Sequence, residues 1–200
     1  MDILKKLKLP DYLSIISLFL AWISIILLIT GFPLIAITIN MGAFIFDILD
    51  GYAARKLNTA SKIGRELDSF VDIFTYVVFT AVLFHYYLAP NMAIGILISF
   101  LMILFGGLRL QRYNEEGILK EKGKEFYRGV TVVHLNFIAI YIFYLNALHH
   151  LNSWIGTVLL LLMIPFLLSN FKSYKIKNPL FFIILISLTV YIALHIANGN

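Results

Sequence analysis

The sequence predicts an all-α polytopic membrane protein with about six to seven transmembrane helices and its chemistry at one membrane interface. Two observations carry that expectation. The first is that 60% of the residues are hydrophobic, with a mean hydropathy of +0.89. Soluble domains usually sit at or below half apolar, and a 200-residue chain still exposes much of its surface after folding. Lipid must therefore solvate much of this one. The second is segregation of charge. Lys, Arg, Asp and Glu fall in four zones, Asp2 to Asp11, Asp47 to Asp72, Arg109 to Arg128 and Lys172 to Lys177, leaving 12–46, 73–108, 129–171 and 178–200 uncharged.

A helix crosses the hydrocarbon core in roughly 20 residues, so each of the first three uncharged stretches holds two crossings. Their turns fall at Gly31-Phe32-Pro33, Ala89-Pro90-Asn91 and His149-His150-Leu151-Asn152-Ser153. Spans are expected near 12–30, 33–55, 66–88, 92–112, 129–148, 153–171 and 179–198, the last a single crossing. All charge then lies on one face. The Lys and Arg excess assigns that face to the cytoplasm, with the N-terminus inside. Basic flanks that attract anionic headgroups account for the net charge of +5 without a nucleic-acid partner. Lys5-Lys6-Leu7-Lys8-Leu9-Pro10 reads as an interfacial lead-in, with no signal-peptide cleavage pattern after the apolar run. Lys120 to Arg128 reads as the solvated face of a linker. The absence of cysteine excludes disulfides and thiolate metal sites. No repeat or linker divides residues 1–200, which form one domain.

The chemistry concentrates at 47–72. Asp47, Asp50, Gly51 and Ala54 recur at i, i+3, i+4 and i+7, one helical face, and Asp68 and Asp72 share a face at i, i+4. Asp47 lies eight residues before Arg55, and Asp72 seven after Arg65. At about 1.5 Å per residue, each is within roughly 12 Å of the connecting loop. Four carboxylates so placed in a membrane are costly unless neutralised. All-oxygen donors suit hard ions such as Mg²⁺, Mn²⁺ or Ca²⁺. His85, His134, His149, His150 and His195 map elsewhere, mostly toward the far side, which argues against zinc or di-iron. Hard ions facing the headgroup layer suit phosphoryl or phosphatidyl transfer. The alternative from another class is a divalent-cation transporter, for which 129–200 offers no mirrored acidic segment.

Asp47-x2-Asp50-Gly51-x2-Ala54-Arg55-x8-Gly64-x3-Asp68-x3-Asp72 resembles, position for position, the signature of the CDP-alcohol phosphotransferase family. The resemblance implies two divalent cations, Mg²⁺ or Mn²⁺ (Ca²⁺ in a crystal), held by Asp47, Asp50 and Asp68, with Asp72 sharing one. It implies Asp72 as general base for the acceptor hydroxyl, Gly51, Ala54 and Arg55 around the CMP moiety, and CMP as product. It also implies a homodimer; the cytoplasmic placement of the active site follows instead from the positive-inside bias of the charged zones. Gly64-Arg65-Glu66-Leu67-Asp68-Ser69, Leu108-Arg109-Leu110-Gln111-Arg112-Tyr113-Asn114 and Leu168-Ser169-Asn170 resemble segments of the phosphatidylserine synthase branch, to which archaetidylserine synthases belong. That branch implies CDP-diacylglycerol or CDP-archaeol as donor and L-serine as acceptor, with glycerol 3-phosphate or inositol phosphate as the alternative acceptor. Arg109 and Arg112 share a helical face and could each grip a carboxylate or phosphate, or snorkel to headgroups. Ser69 and Asn114 are weaker candidates. Two departures stand out. After Asp72 that branch often reads Val-Ser-Phe-Gly-Val-Ala-Pro, where this chain has Ile73-Phe74-Thr75-Tyr76-Val77-Val78-Phe79. Pro10-Asp11-Tyr12-Leu13-Ser14 matches the usual Pro-Asn-x-x-Thr only loosely.

Overall fold

The computed structural model describes residues 7–59, 61–121, 124–174 and 178–199; Lys5 and Lys6 of the expected lead-in lie outside them. α1 (Leu9–Ile29) begins earlier than charge alone suggests, because Pro10 suits a first turn and the Lys8 N–H donates to Asp11 Oδ2 at 2.7 Å. Gly31, at φ +93°, turns the chain, and Pro33 opens α2 (Pro33–Lys56). Ser61 Oγ accepts from the Gly64 N–H at 2.9 Å, an N-cap that starts α3, continuous over Ile63–Leu88. Asn91 caps α4 (Met92–Glu116) by accepting from Ile94 N at 3.0 Å. After α5 (Val132–Ala147), His149 turns at φ +59° and Asn152 caps α6 (Ser153–Leu167). The last helix is α7 (Pro179–Gly199). All three expected turns are where the sequence puts them.

Five helices, α1 to α4 and α7, are long and apolar enough to cross a membrane. α5 and α6 fall short: 16 and 15 residues span about 24 and 22 Å, against a core of about 30 Å. Short strands flank these two helices on their charged side. β1 (Leu119–Glu121) pairs antiparallel with β2 (Lys124–Arg128), and β2 pairs with β3 (Lys172–Tyr174) through Phe126↔Tyr174, Tyr127↔Ser173 and Arg128↔Lys172. The segment read as a solvated linker thus carries two of the three strands of a small sheet, its Phe126 buried. The sheet joins the α4–α5 connection to the α6–α7 connection, and Lys172 pairs with Glu121 across it.

The charged zones meet at one end of the bundle. Lys8 Nζ reaches the Thr59 carbonyl, Ser69 donates to Asn114 at 2.8 Å, and the sheet joins the other two zones. Outward faces carry Phe19, Trp22, Phe100, Leu162 and Ile184, all exposed, as lipid contact requires. Inside, Gly106 lets α4 close on α3: a Cβ there would sit 2.7 Å from Val77 Cγ1, the small-residue contact that membrane helices use.

A polar network crosses this apolar interior. Asn136 on α5 donates to Asn40 on α2 at 3.2 Å and accepts from Thr80 on α3 at 3.1 Å; Asn40 in turn donates to the Thr75 carbonyl at 2.9 Å. Asn40, Asn136, Thr75 and Thr80 are fully buried. Buried polar groups need such partners, since each left unmet costs about 1–3 kcal/mol. Next to this network α3 departs from α geometry. Ile73–Val78 and Phe84–Leu88 are π-helical, and the Phe79 N–H reaches five residues back to the Phe74 carbonyl.

Candidate active site

α2 and α3 run antiparallel on either side of the short 57–61 connection, bringing their acidic faces together. Among the described residues, Asp47, Asp50 and Asp68 form the group that could hold a metal ion. Each offers a carboxylate oxygen, and the three oxygens lie within 4.8 Å of one another. An oxygen-only donor set at that separation fits a hard divalent cation. Asp72 lies one turn beyond Asp68, within electrostatic reach of Asp47 and Asp68. The four aspartates singled out from spacing therefore do converge, three as a compact cluster and Asp72 against its inner edge.

On one side the cluster opens into a cleft of about 200 Å³ between α1, α2 and α3. Its walls include Gly51, Ala54 and Arg55, as the motif implies, together with Asp11, Ser14 and Gly64. Arg55 folds back over Gly51, where a Cβ would sit 3.2 Å from its Nη1. Gly64 likewise makes room for Asp11, whose Oδ1 would be 3.0 Å from a Cβ there. Ser14 Oγ donates to Asp50 Oδ2. Sequence reasoning passed over Asp11 and Ser14. Their signal was the Pro10-Asp11-x-x-Ser14 pattern, whose acidic and hydroxyl positions both face the cleft.

On the other side lies Arg109. It is 5% exposed, within electrostatic reach of Asp72, and flanked by the rings of Tyr113 and Tyr127 at 5.5 and 5.8 Å. Its Nε has no hydrogen-bond partner among the described residues. Tyr127 comes from β2; burial pushes its phenol up to about 12, so the ring beside the guanidinium is neutral at ordinary pH.

Arg112 behaves differently. Its Nη1 donates to the Leu168 carbonyl at 2.8 Å, and Nη2 faces those of Arg128, Leu167 and Ser169 at 2.9 to 3.2 Å. It binds the last carbonyls of α6, a position that favours a cation. The two arginines line one small cleft, as their spacing implies, but their partners differ: Arg109 lies within electrostatic reach of Asp72, and Arg112 clamps the α6 end. Ser69 and Asn114 bond each other. His134 sits at the start of α5, bonded to Thr131 and within reach of Arg109's charge.

Residues 7–196 match the profile of the CDP-alcohol phosphatidyltransferase family. The chain is 32% identical over 180 residues to a protein of Methanocaldococcus jannaschii named CDP-diacylglycerol–serine O-phosphatidyltransferase, covering 90% of this chain and 80% of that one. It is 34% identical over 122 residues to a Methanothermobacter thermautotrophicus protein named archaetidylserine synthase, covering 60% and 51% respectively. A Bacillus subtilis protein, again named CDP-diacylglycerol–serine O-phosphatidyltransferase, is 45% identical over 73 residues, 35% of this chain and 40% of its own length.

Proposed function

Because the chain belongs to the CDP-alcohol phosphatidyltransferase family, we propose that it transfers a phosphatidyl or archaetidyl group from a CDP-activated lipid to the hydroxyl of L-serine, releasing CMP. Membership in that family decides against the transporter alternative. The observation that carries the chemistry is the convergence of Asp47, Asp50 and Asp68, two of which, Asp50 and Asp68, line the cleft.

Each group then has a task. Asp47, Asp50 and Asp68, with Asp72 at the edge, would hold two divalent cations, Mg²⁺ or Mn²⁺. Bound there, such ions offset negative charge on the donor pyrophosphate and on the departing CMP. Gly51, Ala54 and Arg55 frame the nucleotide, with Arg55 placed to meet phosphate, and Asp11 and Ser14 close the cleft from α1. Asp72 accepts the serine hydroxyl proton as the oxygen attacks the lipid-bearing phosphorus; the bond from that phosphorus to the CMP oxygen breaks, and CMP leaves. Arg109 receives the serine carboxylate. Its buried guanidinium, with Nε unpartnered among the described residues and Asp72 within electrostatic reach, supports that role: a carboxylate satisfies a fork of N–H donors, and the bond would place the amino acid near its base. Arg112, already engaged with four carbonyls, is left out of substrate binding.

The relatives' names support serine as acceptor and leave both diacylglycerol and archaeol as tails. The positive-inside bias supports a cytoplasmic active site.

The test is CMP release by the purified protein in detergent, with Mn²⁺ or Mg²⁺ and either CDP-diacylglycerol or CDP-archaeol. L-Serine, glycerol 3-phosphate and inositol phosphate would be supplied separately. Release with serine alone is expected. Release with another acceptor would overturn the role given to Arg109, and no release with any pair would overturn the reaction.

A further inference from the structure

We propose that Tyr76 is a positioning residue for the aspartate cluster: its hydroxyl fixes the Asp47 carboxylate in the orientation in which Asp47 shares a divalent ion with Asp50 and Asp68. The proposal rests on the metal-binding reading above. Tyr76 was not among the residues that spacing singled out; it falls in the segment after Asp72 where the chain departs from its resemblance.

The geometry comes first. Tyr76 is buried to 1% exposure, and its Oη donates to Asp47 Oδ2 at 2.5 Å. A carboxylate has about four lone-pair sites, so one accepted hydrogen bond leaves ample capacity for an ion. The bond also removes the freedom that a lone aspartate has to rotate about its terminal torsion, which is broad and roughly two-fold.

The backbone explains how Tyr76 reaches that far. In an α-helix, every fourth residue advances about 40° around the axis, so Tyr76 would drift off the face that carries Asp68 and Asp72. The π turn over Ile73–Val78 is wider, bonding five residues apart, and it takes back part of the drift. Tyr76 thereby stays over the acidic face. Such turns recur at functional sites.

Two contacts hold this arrangement. Asn40 donates to the carbonyl of Thr75, the residue before Tyr76, and Phe44 packs edge-on against the Tyr76 ring at 6.0 Å. Asn40, Phe44, Asp47 and Gly51 lie at i, i+4, i+7 and i+11 on α2, a single stripe. The face that bears the acidic motif therefore also carries the parts that seat the tyrosine. Hydrogen-bond partners of metal-bound carboxylates set ligand orientation, and their loss typically weakens metal affinity 10- to 100-fold.

The experiment titrates Mn²⁺ onto the detergent-purified full chain, reading free Mn²⁺ by electron paramagnetic resonance. It compares wild type, Tyr76→Phe, Asp47→Ala and the double variant, with thermal unfolding in the absence of metal alongside. Tyr76→Phe should weaken Mn²⁺ binding about tenfold or more, and should add nothing once Asp47 is alanine, since a residue that acts through another has no effect without it. Wild-type affinity in Tyr76→Phe, with loss in Asp47→Ala, would overturn the proposal and leave the metal site standing. So would additive losses in the double variant, or a lowered melting temperature with unchanged affinity. Unchanged affinity in Asp47→Ala would overturn the metal-site reading itself, and this proposal with it.

Discussion

The Ser14 hydroxyl on α1 donates to Asp50 Oδ2 on α2, both residues buried and 36 positions apart in sequence. The first helix is therefore more than an anchor, since it holds one of the three clustered carboxylates.

Ser14→Ala should raise the Mn²⁺ concentration for half-maximal CMP release about tenfold, the lower range for losing a ligand's hydrogen-bond partner. Ser17 sits one turn further along and donates to the Ala43 carbonyl at 2.9 Å. Ser17→Ala should leave the metal requirement as it was. A shift of equal size in both variants would mean that α1 acts by packing alone.

Asp72→Asn keeps the size of the side chain and removes its capacity to take a proton. Turnover should fall by about 10²–10⁴-fold, while binding of the CDP-lipid, followed by equilibrium titration, is retained. Normal turnover would sink the general-base assignment.

Arg109 and Arg112 should separate under the same substitution. Arg109→Lys loses the planar fork, and the serine KM should rise about tenfold or more, as expected for a charge-assisted bond of about 1.5–3 kcal/mol. Arg112→Lys cannot reach four carbonyls at once. It should lower the melting temperature by a few degrees, at about 2–4 °C per kcal/mol for a chain of this size, with serine KM unchanged. Steady-state kinetics with a melting curve on each variant distinguishes the two.

Gly106→Ala should destabilise the bundle by about 1–3 kcal/mol, because its Cβ would meet Val77 in an already close-packed contact. Adding Val77→Ala should recover part of that loss. Failure to recover would place the role of Gly106 in the α4 backbone instead of the α3 contact.

Much of this was legible in the chain before any coordinates. Gly31, Pro33, Pro90 and Asn152 marked turns because their backbone or capping chemistry has few other uses. The aspartates declared a shared site because helical spacing puts i, i+3 and i+4 on one face. What escaped has physical reasons too. β1 and β3 are three residues each, too short to show alternation, and β3 finds its partner β2 44 to 48 positions back along the chain. The π turn leaves no periodic signature, since it is written in backbone bonds. Asn40 and Asn136 went unnoticed because only formal charges were tracked, although an amide inside a membrane bundle also needs a partner. The fates of Arg109 and Arg112 depend on Tyr127 and on the α6 carbonyls, which no local spacing encodes.

The acidic cluster sits at the polar end of the bundle instead of halfway through it. A donor whose tails remain in the bilayer meets such a site by sliding sideways in the membrane, while a water-soluble acceptor arrives from the bulk. The two substrates are therefore counted on different scales: the donor as a mole fraction of the surface, the acceptor as a molarity. Adding inert detergent at fixed total donor should slow the reaction by thinning the surface, and no amount of extra serine would restore the rate.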